Sequence, residues 1–259
     1  MLKNATHCFP RGLIYVISFI LYFNICAESA CPESSQQSAL SQSAATSLAE
    51  KPPDNLTAPP IDRFELAIKR FEWKDRHWPP HQGAVVFVGS STFTKWRTLE
   101  LTFREFRAIN RGFGGATIPE VNHYVDRIVT NYKPSKVVFY CGSNDIAELH
   151  HDGEQVFADF KTFVKLVHES LPECQIYFIS ESAAPCREGF ESEFSKCNSL
   201  TLAFIKSTPY VHYIDVLPVM RDKNGTLRVG LFGPDHLHMN LAGYALWTPI
   251  IKAALKSGK

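Results

Sequence analysis

A chain of 259 residues with 45% hydrophobic and 20% charged side chains suits one globular domain of moderate size plus an extension. Its formal net charge of +1 offers no broad basic surface, so a nucleic-acid partner is not expected.

Lys3 and Arg11 flank an apolar run from Leu13 to Cys26, which gives way to the small residues Ala27, Ser29 and Ala30. Basic flank, short apolar core and small-residue exit are the parts of a secretory signal, assigned here to residues 1–30. The run is shorter than the roughly 20 residues that span a bilayer, so membrane contact is expected only if the leader is retained. Cys31 follows Ala30, but Glu28 stands where a lipoprotein signal wants an aliphatic residue. Cleavage takes away Lys3, Arg11 and Glu28 and leaves a formally neutral chain, expected to be secreted or periplasmic. An oxidising compartment lets disulfides persist. Cys186 and Cys197 flank a polar segment and are the expected pair, while Cys141, at the end of an apolar run, is expected as a buried free thiol. Cys31 and Cys174 complete an odd count, which leaves at least one thiol unpaired or intermolecular. No Cys/His spacing reads as a zinc site, and CxxC is absent.

Residues 31–60 are rich in Ser, Ala, Gln and Pro and poor in large apolar residues, which predicts a flexible linker before a domain over 61–259. Phe64, Leu66, Ala67, Phe71 and Trp73 recur at near-helical spacing, and Pro79-Pro80 ends that helix. Ala84–Ser91 reads AVVFVGSS, a continuous apolar run closed by glycine and two serines. Such a run suits a strand buried on both faces. A short helix and loop follow, then a brief strand over Phe106–Ile109 and a glycine-dense turn with Gly112, Gly114 and Gly115. A helix is predicted over 118–132, a strand over 136–140 ending in Cys141-Gly142-Ser143-Asn144-Asp145, and a helix over 154–170. A strand over 175–180, a loop over 181–195, a helix over 198–206, a strand over 211–216, a loop to Pro234 and a terminal helix over 240–256 complete the reading. Apolar strands alternating with helices give one three-layer α/β/α sandwich around a five-stranded parallel sheet.

The strand ends collect chemistry. Ser91 follows the first strand, Gly115 the second and Asn144 the third, and Asp235-His236-Leu237-His238 precedes the last helix. All are expected at the carboxyl edge of the sheet, where open α/β sheets place ligands. A serine hydroxyl needs a positioned base to attack a carbonyl, and His238 with Asp235 three residues earlier supplies base and orienter. The backbone N–H groups of Ser91 and Gly115 and the side-chain amide of Asn144 are candidate donors to the resulting oxyanion. Gly115 suits that role because a side chain there would obstruct the approach of backbone to the carbonyl.

In these residues the sequence resembles the SGNH hydrolases, the GDSL-like lipases and acylhydrolases. Four blocks match in order: Phe87-Val88-Gly89-Ser90-Ser91, Asn110-Arg111-Gly112-Phe113-Gly114-Gly115, Gly142-Ser143-Asn144-Asp145 and Asp235-His236-Leu237-His238. The resemblance implies a flavodoxin-like sheet and a triad of Ser91, Asp235 and His238. It also implies an oxyanion hole of Ser91, Gly115 and Asn144, with no metal or organic cofactor. One departure is Ser90, where the family's naming motif has Asp; a GSS version followed by Trp96 resembles a branch of that family. The alignment of Gly89 favours Ser91 over Ser90 as nucleophile.

The expected activity is therefore that of an exported carboxylic-ester hydrolase working through an acyl-enzyme on a short acyl group such as acetyl. The expected partner is a small-molecule or carbohydrate ester. Acyl transfer to a sugar acceptor and a non-catalytic carbohydrate-binding domain are the alternatives, the second disfavoured by the intact set of five residues. A GxSxG elbow, a P-loop and a dinucleotide glycine fingerprint are absent, which disfavours α/β-hydrolase, nucleotidase and dehydrogenase readings. Structural roles are expected for Asp145, His123, His168 and His212, and a solvated loop for His150 and His151. Trp96, Phe113 and Met239 are either acyl-pocket or core residues. Asn55 and Asn224 lie in N-x-T sequons.

Overall fold

The computed structural model describes residues 61–257. The predicted leader, the linker, Cys31 and Asn55 lie outside the described residues. Helix α1 (Glu65–His77) leads into β1 (Val85–Gly89), followed by α2 (Ser91–Lys95) and β2 (Ile109–Gly112). Then come α3 (Ile118–His123), β3 (Lys136–Tyr140), α4 (Ser143–Leu149), α5 (Gly153–Ser170) and β4 (Gln175–Ile179). The last elements are α6 (Glu191–Ile205), β5 (Val211–Ile214) and α7 (Leu241–Ser257).

All four pairings in the sheet are parallel, in the order β2-β1-β3-β4-β5. This is the flavodoxin-like order, and its reversal of direction falls between β1 and β3. Alternate residues face opposite layers. Val86, Val88, Val137, Phe139, Ile176 and Phe178 pack with Phe160, Phe163 and Val167 of α5. Val85, Phe87, Val138, Tyr177 and Ile179 face Trp96, Phe103 and, on α7, Trp247 and Ile251. Every residue of β1 is buried, as the unbroken apolar run requires. Each large side chain so buried contributes about 1.5–3 kcal/mol.

Several element boundaries differ from the sequence reading. The second strand begins at Ile109, because Arg104–Phe106 form a 3-10 turn that Arg107 closes in the left-handed region at φ 53°. The helix predicted over 118–132 breaks at Tyr124 and again at Val129, where ψ of −69° and φ of −130° leave helical geometry. Helix α6 starts seven residues early, at Glu191, behind a 3-10 stretch over Pro185–Phe190. The loop predicted after β5 contains a helical turn, Leu217–Met220.

The Cys186–Cys197 bridge does not form. Cys197 is a free thiol buried within α6, where burial pushes it far above its ordinary range, and Cys141 is buried and free as expected. Among the described residues no helix is long and apolar enough to cross a membrane.

Candidate active site

Strand β1 runs to its end only because residue 89 is glycine. A Cβ there would lie 1.9 Å from the carbonyl oxygen of Tyr140 on β3. The glycine therefore serves close strand approach as well as the turn. Ser90 immediately precedes α2 and Ser91 is its first residue, so the serine stands at the carboxyl ends of β1 and β3. Ser90 is buried and Ser91 is half-exposed.

Asn144 arrives from the neighbouring strand. It is in the first turn of α4, directly after β3, and is 7% exposed. Its amide is held at both ends: Nδ2 donates to the Ala116 carbonyl at 2.9 Å, and Oδ1 accepts from Arg187 Nη1 at 3.1 Å. Those partners fix the amide orientation, because Oδ1 cannot face another carbonyl oxygen. They also leave the second Nδ2 hydrogen available to a ligand.

Gly115 has φ +83°, a conformation that favours glycine. A Cβ added there would meet nothing nearer than the Phe64 ring at 3.8 Å. Conformation explains this glycine, and crowding by protein atoms does not. Its carbonyl accepts Arg63 Nη2 at 2.9 Å, and Arg63 Nε meets the buried carboxylate of Glu120 at 2.5 Å. Glu120 also closes a capping box with Thr117 at the start of α3. The loop carrying Gly115 is thus anchored by Arg63 at Gly115 and by Asn144 at Ala116.

His238 Nδ1 lies 2.7 Å from Asp235 Oδ2, while Asp235 Oδ1 accepts the backbone N–H groups of Leu237 and His238 at 3.1 and 3.0 Å. Partial burial works to raise the Asp235 carboxyl, but these hydrogen bonds outweigh it and hold the group down to about 2. The intervening His236 adopts φ 52° and is exposed, so it does not share the site.

Ser90, Ser91, Asn144 and His238 line one cavity of about 30 Å³ together with Arg187 and Met239. Asp235 stands behind His238, and Gly115 is outside the cavity lining. Of the three aromatic or sulfur candidates, Met239 lines the cavity. Trp96 stacks on Tyr244 with ring centroids 4.6 Å apart, and Phe113 packs edge-on to Phe64. His123 sits 3.2 Å from Asp62, His168 stacks on Tyr210, and His212 contacts Gln175. His150 is exposed, but Nδ1 of His151 is shut off from solvent, contrary to the expectation of a solvated pair.

Arg187 was not visible as a site residue in the sequence. It is 6% exposed and reaches Ser143 Oγ at 2.7 Å, Asn144 Oδ1 and Glu148 Oε1 at 2.8 Å. It belongs to the segment read as plain loop, and no local pattern marks it.

The family model of the GDSL-like lipase/acylhydrolase family matches residues 86–246. A GDSL-like lipase from Bacteroides thetaiotaomicron VPI-5482 is similar in structure, with TM-score 0.64 and 21% identity over 74% of this chain and 98% of that one. The lipase/acylhydrolase from Enterococcus faecalis gives TM-score 0.55 at 19% identity, covering 67% of this chain and 96% of its own. A carbohydrate esterase family 3 protein from Talaromyces cellulolyticus gives TM-score 0.55 at 12% identity, covering 67% and 97%. No curated protein matches the chain.

Proposed function

Because the chain belongs to the GDSL-like lipase/acylhydrolase family and is an ester hydrolase, we propose that it is an exported serine esterase that removes a short acyl group through an acyl-enzyme. The observation that carries the reading is the His238–Asp235 pair at 2.7 Å, with His238 facing the same cavity as Ser91 and Asn144.

In the proposed reaction Ser91 Oγ attacks the ester carbonyl while His238 Nε2 takes its proton. Asp235 holds Nδ1 protonated, so that Nε2 is the free base, and it stabilises the imidazolium that forms. The tetrahedral oxyanion is met by the backbone N–H groups of Ser91 and Gly115 and by the free Nδ2 hydrogen of Asn144. Collapse returns the proton from His238 to the leaving alcohol and leaves Ser91 acylated. Water, activated by His238, then releases the acid and restores the serine.

The cavity is small, about 30 Å³, which supports a short acyl group such as acetyl. Arg187 and Ser143 give its wall a polar side that suits a hydroxyl-bearing alcohol. A carbohydrate O-acetyl ester is therefore the substrate class we favour, and the neighbour named a carbohydrate esterase provides a precedent on this fold. Export rests on the basic–apolar–small order of residues 1–30.

Hydrolysis of p-nitrophenyl esters from acetate to palmitate by the protein and by Ser91→Ala tests the proposal. We expect acetate to be preferred and the variant to lose about 10³-fold or more in turnover. Equal rates in both proteins would remove Ser91 from the mechanism and redirect attention to Ser90. A preference for palmitate would overturn the short-acyl reading alone.

A further inference from the structure

Behind Asn144, the next residue of α4 begins a second cluster that the hydrolytic reading does not use. Asp145 is fully buried. Its Oδ1 accepts the Ile118 backbone N–H at 2.9 Å, and its Oδ2 has no donor. Asp159 of α5 repeats the arrangement, with Oδ1 receiving Gln155 Nε2 at 3.2 Å and Oδ2 buried without a donor. His151, between the two helices, is fastened by its backbone N–H to the Asp145 carbonyl at 3.0 Å, and its Nδ1 is buried without a partner. One ligand atom from each of the three residues lies within 4.8 Å of the other two.

Each member thus has a fixed backbone or outer atom and an unused inner one. Two carboxylates and an imidazole come together, and the inner oxygen of each acid meets no donor among the described residues. Carboxylates withdrawn from water cost several kcal/mol unless charge and hydrogen bonding compensate them. His151 Nδ1 makes no hydrogen bond to either carboxylate, so no direct contact within the cluster satisfies the inner atoms. Ligands about 2.0–2.2 Å from a tetrahedral centre lie about 3.3–3.6 Å apart, inside the 4.8 Å that bounds the three ligand atoms here. One imidazole with two carboxylates suits zinc or a neighbouring first-row ion better than calcium or magnesium, which prefer all-oxygen sites. A divalent ion would also cancel the two negative charges.

We propose that Asp145, His151 and Asp159 form a structural divalent-cation site of the zinc class, which pins the 150–152 loop and α5 to the turn carrying Asn144. Its three ligands are not among the residues assigned to the ester's chemistry, and the ion takes no part in it. Only the kinetic consequence rests on the esterase reading, since an ion here would stiffen the amide assigned to the oxyanion; binding itself does not depend on that reading.

The full chain, dialysed against a chelator, is titrated calorimetrically with Zn²⁺, alongside His151→Gln and Asp159→Asn. We expect one Zn²⁺ per wild-type chain, a raised thermal midpoint on loading, and affinity at least about tenfold weaker in each variant. If Asp159→Asn fails to fold, His151→Gln decides alone. Co²⁺ is the second probe: its visible d–d absorption should change on binding the wild-type chain and revert to that of the hydrated ion with His151→Gln. Wild-type protein that binds neither ion more tightly than His151→Gln would overturn the site and leave a buried water or a shared His151 proton between the carboxylates. That failure would leave the Ser91→Ala outcome untouched, so the two readings stand or fall separately.

Discussion

The two carboxylate oxygens of Asp235 act separately, Oδ2 orienting His238 while Oδ1 ties down the backbone of the same segment through two N–H groups. The proposed base is therefore placed by a residue only three positions away, which is why this pair could be read from spacing. Asn144 is placed differently, by Ala116 and Arg187 from distant parts of the chain. Arg187 is a positioning residue in this scheme. Arg187→Ala is expected to lower kcat on p-nitrophenyl acetate by about 10–100-fold with KM changed little, because the amide donor is no longer held where the oxyanion forms. Added guanidinium should recover part of the loss. Loss of kcat with an equal rise in KM and no rescue would show that Arg187 supports the wall of the cavity instead of the amide.

The elements meet at points with almost no spare room. Gly89 is the clearest case, since β1 and β3 can pair to their ends only without a Cβ at this position. Gly89→Ala is expected to destabilise the fold by at least about 3 kcal/mol, because the clash is with backbone and cannot be relieved by a rotamer change. Urea unfolding measures this directly; a loss under about 1 kcal/mol would mean that the strand ends can part. The elements whose boundaries were misplaced are those ended by backbone geometry. Arg107 and Tyr124 interrupt regular structure without proline or glycine, so no composition cue announces them.

At the scale of the molecule, strand order brings β1 and β3 together, and with them Ser91 and Asn144, which lie 53 positions apart in sequence. The same packing buries Glu181 completely at the end of β4, with neither carboxylate oxygen hydrogen-bonded. Burial pushes this carboxyl up from its ordinary 4.5 to about 8, Asp145 adds to the shift and Arg187 opposes it. The native state therefore keeps the proton in a range where the unfolded chain releases it. The resulting stability is fully present below about pH 4.5 and is lost as pH rises toward 8. Glu181→Gln removes this dependence. Its unfolding free energy should gain on wild type between pH 5 and pH 8, by on the order of 4 kcal/mol at most. Parallel pH profiles for the two proteins would show that Glu181 is ionised in the fold.

The sequence by itself determined the α/β class, the five strands and the residues at their ends. These are local matters: an unbroken apolar run buries a strand on both faces, and a serine, an asparagine or an Asp-x-x-His after such a run stands at the sheet edge. The Asp235–His238 contact was legible for the same reason, as was the buried thiol of Cys141. Only the tertiary structure decided which distant side chains would meet. The Arg63 hold on Gly115, the Arg187 hold on Asn144 and the inward-facing group of Asp145, His151 and Asp159 depend on separate segments converging in space. The Cys186–Cys197 expectation failed on the same ground, because α6 begins at Glu191 and carries Cys197 into the core, where it is a free thiol. Hydrophobic patterning is written along the chain, whereas the partners of a buried polar group are chosen by the fold that buries it.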